Sequence, residues 1–392
     1  MTTQPPPDGK PAPSPAPSPV AARNWALCVS TYNRRRMLCD CVRAALASDQ
    51  RPAEIVIVDA SADWPLNRQS VEAVVAEAGG CPLTYVPALR KSLTVQRNQA
   101  VALARADILF MIDDDALLHP VCAGRIMAHY RADNRGRIVA ISARNAPRTR
   151  DAAGAAELKR TNPAGGLLAD RGGPARRGID FVLRHLLMIP AEQRFLAYDR
   201  PERRWQGDAT LPEGLLRVDF IVGFALTLRR HLALREPFDE GLVGSSIAED
   251  LDASYRFGRH GILAIAPDAL IHHLEAAAGR DRRRINSALA VLNIAYFVRR
   301  NSERQARDLA RYALWYLRMV LAELPKDIAG GRWDLPQLRG ALLAGRHLPA
   351  LLRQPRAGLP AWYQTLQTRL MTGASPGPGQ NKATAPDPGA NG

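Results

Sequence analysis

From Trp25 onward, short apolar runs alternate with stretches whose apolar residues recur every three or four positions. Trp25 to Thr31 is a continuous apolar run, and Met37, Leu38, Cys41, Val42, Ala45 and Leu46 then follow at helical spacing. Glu54 to Asp59 (EIVIVD) reads as a second strand, Val71 to Ala78 as a helix stopped by Gly79-Gly80, and Leu83 to Val86 as a third strand. Val95 to Ala106 reads as a helix and Asp107 to Ile112 as a fourth strand. Continuous apolar runs mark strands covered on both faces, so the alternation predicts β-α-β units and an α/β fold with a mostly parallel sheet flanked by helices. In such a sheet, ligand-binding groups gather beyond the C-terminal ends of the strands.

Further along, His119 to Ala132 reads as a helix and Ile138 to Arg144 as a strand. Residues 145–216 carry no readable period. Val218 to Leu228 (VDFIVGFALTL) reads as continuous sheet, Glu249 to Phe257 as a short helix, and Ile262 to His273 as a strand with a turn at Pro267. From Arg282 to Leu352 the pattern is helical, with Leu309, Tyr312, Ala313, Tyr316, Leu317, Val320 and Leu321 forming one apolar face. Both chain ends differ from this. Residues 1–22 alternate Pro with Ser and Ala, and residues 372–392 are rich in Gly, Pro, Ala and Asn, so both are expected to be disordered. The expected organisation is a catalytic domain over 23–280, with a nucleotide-binding half (23–116) and an acceptor half (117–280), followed by a helical extension over 281–355.

Charge narrows the partners. With 53 Lys plus Arg against 38 Asp plus Glu, the 392-residue chain carries +15, which favours nucleic acid, anionic lipid or nucleotide diphosphates. No apolar stretch reaches the roughly 18 residues of a membrane span. Ala288 to Val298 is shorter, contains Asn293 and lies between Arg282-Arg283-Arg284 and Arg299-Arg300, as an interfacial or docked helix would. The expected location is cytoplasmic, peripheral on the inner face of the membrane. The five cysteines make no CxxC pair and no zinc-type spacing, which fits a reducing compartment.

Chemistry concentrates at the predicted strand ends. Thr31-Tyr32-Asn33 follow the first strand, Asp59 closes the second, and Asp113-Asp114-Asp115 close the fourth. Crowded carboxylates repel one another, and a hard divalent cation shared with a phosphate relieves that repulsion. No GxGxxG follows the first strand and no GxxxxGK[ST] occurs, which disfavours dinucleotide oxidoreductases and P-loop NTPases.

In chain order, VSTYNR (Val29 to Arg34), EIVIVDASAD (Glu54 to Asp63), QRNQAVALARADILFMIDDDA (Gln96 to Ala116) and VGFALTLRR (Val222 to Arg230) form an ordered set. It continues with PFDEGLVGSSIAEDLDASYRFGRHG (Pro237 to Gly261) and APDALIHH (Ala266 to His273). The set resembles the inverting family 2 glycosyltransferases, whose nucleotide-sugar-binding domain has the GT-A fold, and covers residues 25–301. Ser30 stands where the family usually has Pro. The QxxRW sequence of processive synthases is absent, so one sugar per encounter is expected.

The resemblance implies a nucleotide-sugar donor, a Mg²⁺ or Mn²⁺ cofactor and a glycan or lipid-linked acceptor in cell-surface polysaccharide biosynthesis. By the same resemblance Asp115 is the metal ligand, Asp113 contacts the ribose or the metal shell, and His272 or His273 completes the coordination. Asp59 is expected to accept a hydrogen bond from the nucleotide base beside Thr31. Asn33 and Asp114 join the donor pocket, and Arg97 either reaches a phosphate or solvates its helix. Asp250 is the expected base that deprotonates the acceptor hydroxyl, with Glu249 as its neighbour. Two other readings account for parts of the pattern. One is a catalytically silent GT-A binding protein. The other is a nucleic-acid-binding protein, for which the chain shows no recognisable motif.

Overall fold

The computed structural model describes residues 24–146, 210–244, 246–274 and 283–373. The terminal arms and most of the unreadable central segment lie outside these residues. Packing divides the described chain into a sheet unit (24–146, 210–239 and 249–274) and a helical unit (240–244, 246–248 and 283–373).

The sheet unit follows the sequence pattern closely at its start. Strands β1 (Trp25–Thr31), β2 (Glu54–Asp59), β3 (Leu83–Pro87) and β4 (Ile108–Asp113) alternate with helices α1 (Arg35–Leu46), α2 (Trp64–Glu77) and α3 (Leu93–Leu103). They pair in parallel in the order β3-β2-β1-β4. Along β1, Trp25, Leu27 and Val29 pack into one core while Ala26 and Cys28 pack into another on the opposite face. That period of two explains the unbroken apolar run, because both faces are covered. Helix α2 starts at Trp64, seven residues before the expected Val71, because Pro65 is tolerated in a first helical turn.

Beyond β4 the sheet is mixed. β5 (Ala116–Leu118), α4 (Cys122–Ala132), β6 (Ile138–Asn145), β7 (Leu216–Val218), β8 (Ala225–Arg229), α5 (Arg230–Arg235), α6 (Glu249–Phe257) and β9 (Ile262–His273) follow in chain order. β8 pairs antiparallel with both β4 and β6, and β9 pairs parallel with β6 and antiparallel with β5 and β7. The sheet is therefore all-parallel through its first four strands, and beyond them parallel and antiparallel pairings mix. The expected continuous sheet from Val218 to Leu228 is broken at 219–224, where the Ala225 amide turns back to the Val222 carbonyl. In β9 the register slips against β6 between Ala143 and Arg144, in the stretch that contains Pro267.

The helical unit contains α7 (Arg283–Asn301), α8 (Gln305–Ala329), α9 (Pro336–Arg353) and α10 (Leu359–Thr372), so helix continues beyond the expected end at 355. Ala288, Leu289 and Val291 to Val298 of α7 are buried. That stretch is therefore the core of the unit, so of the two readings left open by the sequence, an interfacial or a docked helix, the docked one holds. α9 crosses α7 so closely at Gly340 that an added Cβ would lie 2.2 Å from the Arg284 carbonyl oxygen. Asn293, the one polar residue inside the apolar run, donates to the Ile247 carbonyl at 2.6 Å and accepts from the Tyr363 hydroxyl. Gln367 donates to the Gly241 carbonyl at 2.7 Å and accepts from the Val243 amide. These side chains fasten segment 240–248 to the helices.

Candidate active site

The parallel register sets Thr31 beside Asp59 and Ser30 beside Asp113, so the polar ends of β1, β2 and β4 leave the sheet along one edge. Within the aspartate triplet the three carboxylates differ. Asp113 keeps 35% of its side chain exposed, while Asp114 and Asp115 are buried. Asp114 accepts from the Thr31 hydroxyl at 2.7 Å and from Arg34 at 2.8 Å, and burial pushes its carboxyl above the usual range against those two donors. It ties the β1 turn to the β4 turn. Arg34 also lies 3.3 Å from Asp115.

β9 supplies the histidine. Ala116 pairs with His273 across the β5–β9 ladder, and the Leu274 amide donates to the Asp115 carbonyl. Successive strand residues face opposite sides. His273 accordingly reaches Asp115, with Nε2 3.3 Å from Oδ1, while His272 lies with its ring 4.8 Å from that of His119. One ligand atom from each of Asp113, Asp115 and His273 falls within 4.8 Å of the others. His272 is not part of this cluster, so the choice left open by sequence falls on His273. The His273 ring also stacks on Phe224 at 4.3 Å, nearly parallel, which fixes its plane.

A second acidic pair stands at the start of α6. Glu249 is buried at 6% exposure and binds Arg97 at 2.5 Å; Arg97 in turn contacts Asp113 at 3.3 Å and donates to the Gly223 carbonyl at 3.0 Å. Arg97 is itself buried, so it does not solvate its helix face. Gly223 donates its own amide to Asp250 at 3.1 Å. A Cβ there would meet Glu249 Oε1 at 2.7 Å and the Arg97 guanidinium at 3.2 Å, which only glycine avoids. The broken sheet at 219–224 thus creates the contact through which Arg97 links Asp113 to the Glu249-Asp250 pair. Burial pushes the Glu249 carboxyl up to about 8, with Asp250 and Asp113 adding to the shift and Arg97 opposing it. Asp250 is half-buried.

At the end of β2, Asp59 is enclosed. Its carboxylate accepts from the Ser61 amide and hydroxyl, from Asn67 at 2.9 Å and from Tyr85 at 2.6 Å. Those four donors use all the acceptor positions a carboxylate offers. Ser61 also accepts from the amide of Asn33, an exposed residue at φ +54°. Burial and the Asp59 contact push the Tyr85 phenol well above its usual range. Sequence alone assigns no role to Gly223, Arg34, Ser61, Asn67 or Tyr85, although Ser61 stands among the polar residues at the end of the second strand. The first three lie within or beside the quoted segments, but nothing local marks Asn67 or Tyr85, which reach Asp59 only once α2 and β3 have packed.

Residues 26–173 match the glycosyl transferase family 2 profile. No curated protein matches the chain. Among solved structures, the mannosyltransferase PcManGT from Pyrobaculum calidifontis, in complex with GDP-Man and Mn2+, is similar at 17% identity and a TM-score of 0.46, over 91% of this chain and 87% of that one. S. aureus TarS (residues 1-349) is similar at 15% identity and a TM-score of 0.42, over 90% of this chain and 92% of that one.

Proposed function

We propose, for a glycosyltransferase whose residues 26–173 are glycosyl transferase family 2 sequence, that the reaction is metal-dependent, inverting transfer of one sugar from a nucleotide-sugar donor to a surface-glycan or lipid-linked acceptor. The observation that carries this reading is the junction of two acidic groups through one buried arginine. Asp113, Asp115 and His273 form one group, Glu249 and Asp250 the other, and Arg97 touches both Asp113 and Glu249.

Two carboxylates and one imidazole, with their donor atoms already converged, suit Mn²⁺ or Mg²⁺. When bound, such an ion supplies electrostatic stabilisation of the leaving diphosphate. Asp113 and Asp115 hold it with His273, and Phe224 keeps the imidazole in plane. Asp114 holds the two turns together through Thr31 and Arg34 and contacts the donor only indirectly. Asp59 likewise acts through its neighbours, ordering Ser61 and Asn33 at the pocket edge, since its own acceptor positions are filled.

Inversion by single displacement needs one base. Asp250 fits better than Glu249, because Asp250 is half exposed and held by the Gly223 amide, whereas Glu249 is buried against Arg97. Glu249 holds Arg97 in place, and Arg97 offsets the negative charge of the site.

A panel of nucleotide sugars, screened by thermal shift with Mn²⁺ and with chelator, tests the reading. At least one donor is expected to raise the melting temperature only when metal is present, and product NMR with an acceptor should give the inverted anomer. No stabilisation by any donor in Mn²⁺ would sink the proposal. A donor that binds but never turns over would point to a silent binding protein.

A further inference from the structure

Helix α8 is oriented contrary to an ordinary surface helix. Its acidic side chains Asp308, Glu323 and Asp327 are buried, while Leu314, Leu317, Leu321, Leu324 and Ile328 are 41% to 58% exposed. These five, with Ala310 before them, recur at alternating steps of three and four residues, which places them in one stripe along the helix. From Ala310 to Ala329 the most exposed residues of α8 are all apolar, and its charged residues Arg311, Arg318 and Lys326 are half-buried. Arg307 continues the stripe at its N-terminal end, and beyond its C-terminal end Trp333 is 77% exposed. A contiguous apolar face of this length on a soluble surface marks an interaction site.

The charge around it selects the partner. Between Arg283 and Gly373 the sequence has 15 Lys plus Arg and 5 Asp plus Glu, a net of +10. Three of those five acids are the buried Asp308, Glu323 and Asp327, leaving Glu303 and Asp334 on the surface. Pairing two copies of this face would bring two such cationic surfaces together. A negatively charged surface is attracted instead.

We propose that the outward face of α8, together with Trp333, docks the helical unit on an anionic lipid bilayer. The leucines enter the boundary between headgroups and acyl chains, the indole sits at headgroup level, and Arg307 and Arg318 lie where they reach lipid phosphates while their stems cover apolar surface. No described helix is long and apolar enough to cross a membrane, so α8 lies in the plane of the interface. The inference does not depend on the transferase chemistry, and its test reads lipid binding and nucleotide binding separately.

The full chain is sedimented with phosphatidylcholine vesicles, with and without phosphatidylglycerol, at low and high salt. Binding is expected to the anionic vesicles and to weaken as salt rises. Replacing Leu317→Gln together with Leu321→Gln removes two apolar side chains from the contact and should weaken binding by at least about tenfold. Melting temperature and nucleotide binding should stay as in the parent, because both positions face solvent. Absence of vesicle binding at low salt, or equal binding by parent and double variant, overturns the proposal. So does light scattering that shows a parent dimer, unable to bind vesicles, becoming a monomer in the variant, since the face would then pair with a second copy.

Discussion

Helices α3 and α8 both bury charged or polar side chains, and they do so for different ends. In α3, Gln96 donates to the carbonyls of Thr31 and Val58 at the ends of β1 and β2, and Arg97 joins Asp113 to Glu249. The buried polar groups of α3 therefore converge on the strand ends that form the candidate site. In α8, Asp327 accepts from the amides of Gln337 and Leu338 at the start of α9 and from Arg332, while Glu323 binds Lys326 and Gln337. Its buried charges close a helix terminus, and the leucines left over face outward. Buried charge alone thus does not identify a catalytic site. What separates the two cases is where the groups lead: those of α8 satisfy the helix terminus beside them, whereas Arg97 of α3 reaches the carboxylates Asp113 and Glu249 beyond the strand ends.

Four experiments test that distinction, and the largest effect belongs to the acceptor side. Asp250→Asn keeps the size of the side chain and removes its basicity, so turnover should fall by on the order of 10² to 10⁴. Calorimetric binding of nucleotide sugar and Mn²⁺ should be unchanged. Weakened donor binding with an intact rate at saturation would make Asp250 a binding residue.

Next comes the pair of adjacent histidines. His273→Ala should weaken Mn²⁺-dependent nucleoside diphosphate binding by at least about 10- to 100-fold, while His272→Ala should leave it near the parent value. Equal effects would dissolve the assignment. Asp115→Asn provides a parallel check; because Asp115 is buried rather than solvent-facing, the isosteric amide is a safer change than alanine.

Asp327→Ala tests the other side of the comparison. Loss of a buried cap and ion-pair partner should lower unfolding free energy by about 1–3 kcal/mol in denaturant titration. Donor binding measured on the folded protein should not change. A loss of donor affinity at full folding would contradict a purely structural role for the charge in α8.

The smallest effect is a slope. A carboxyl whose folded pKa is raised binds its proton more tightly when folded, so its stabilising contribution is complete below the unfolded value and is lost as pH rises. For Glu249 that window runs from 4.5 to about 8. Glu249→Gln has no such proton to lose, so the melting temperature of the variant relative to the parent should rise across this range. A constant difference between the two would show that Glu249 is ionised throughout, as the partner of Arg97.

The sequence made the site legible unevenly. The triplet at β4, the Glu249-Asp250 pair and the first four strands stand in local text, because each rests on a short apolar run or on adjacent residues. Gly223 was hidden because VDFIVGFALTL carries the composition of one strand. Only pairing with β4 and β6 reveals that the strand begins at Ala225 and that the residues before it form a turn. The enclosure of Asp59 by Asn67 and Tyr85 was hidden because both partners come from elements whose own patterns say nothing about a distant carboxylate. Ala288 to Val298 stayed ambiguous for a related reason, since apolarity between arginines is shared by interfacial helices and by buried ones.

What the sequence alone determined is the class of fold, the family 2 resemblance and the acidic residues that are candidates for the chemistry. These are properties of periodicity and of residues adjacent in the chain. Only the tertiary structure decided that His273 and not His272 faces the aspartates, that Asp114 and Asp59 are held by protein donors, and that α8 turns its leucines outward. Each of those outcomes depends on which side of an element faces which neighbour. Strand register and helix packing fix that across tens to hundreds of residues of chain, and no local pattern encodes it.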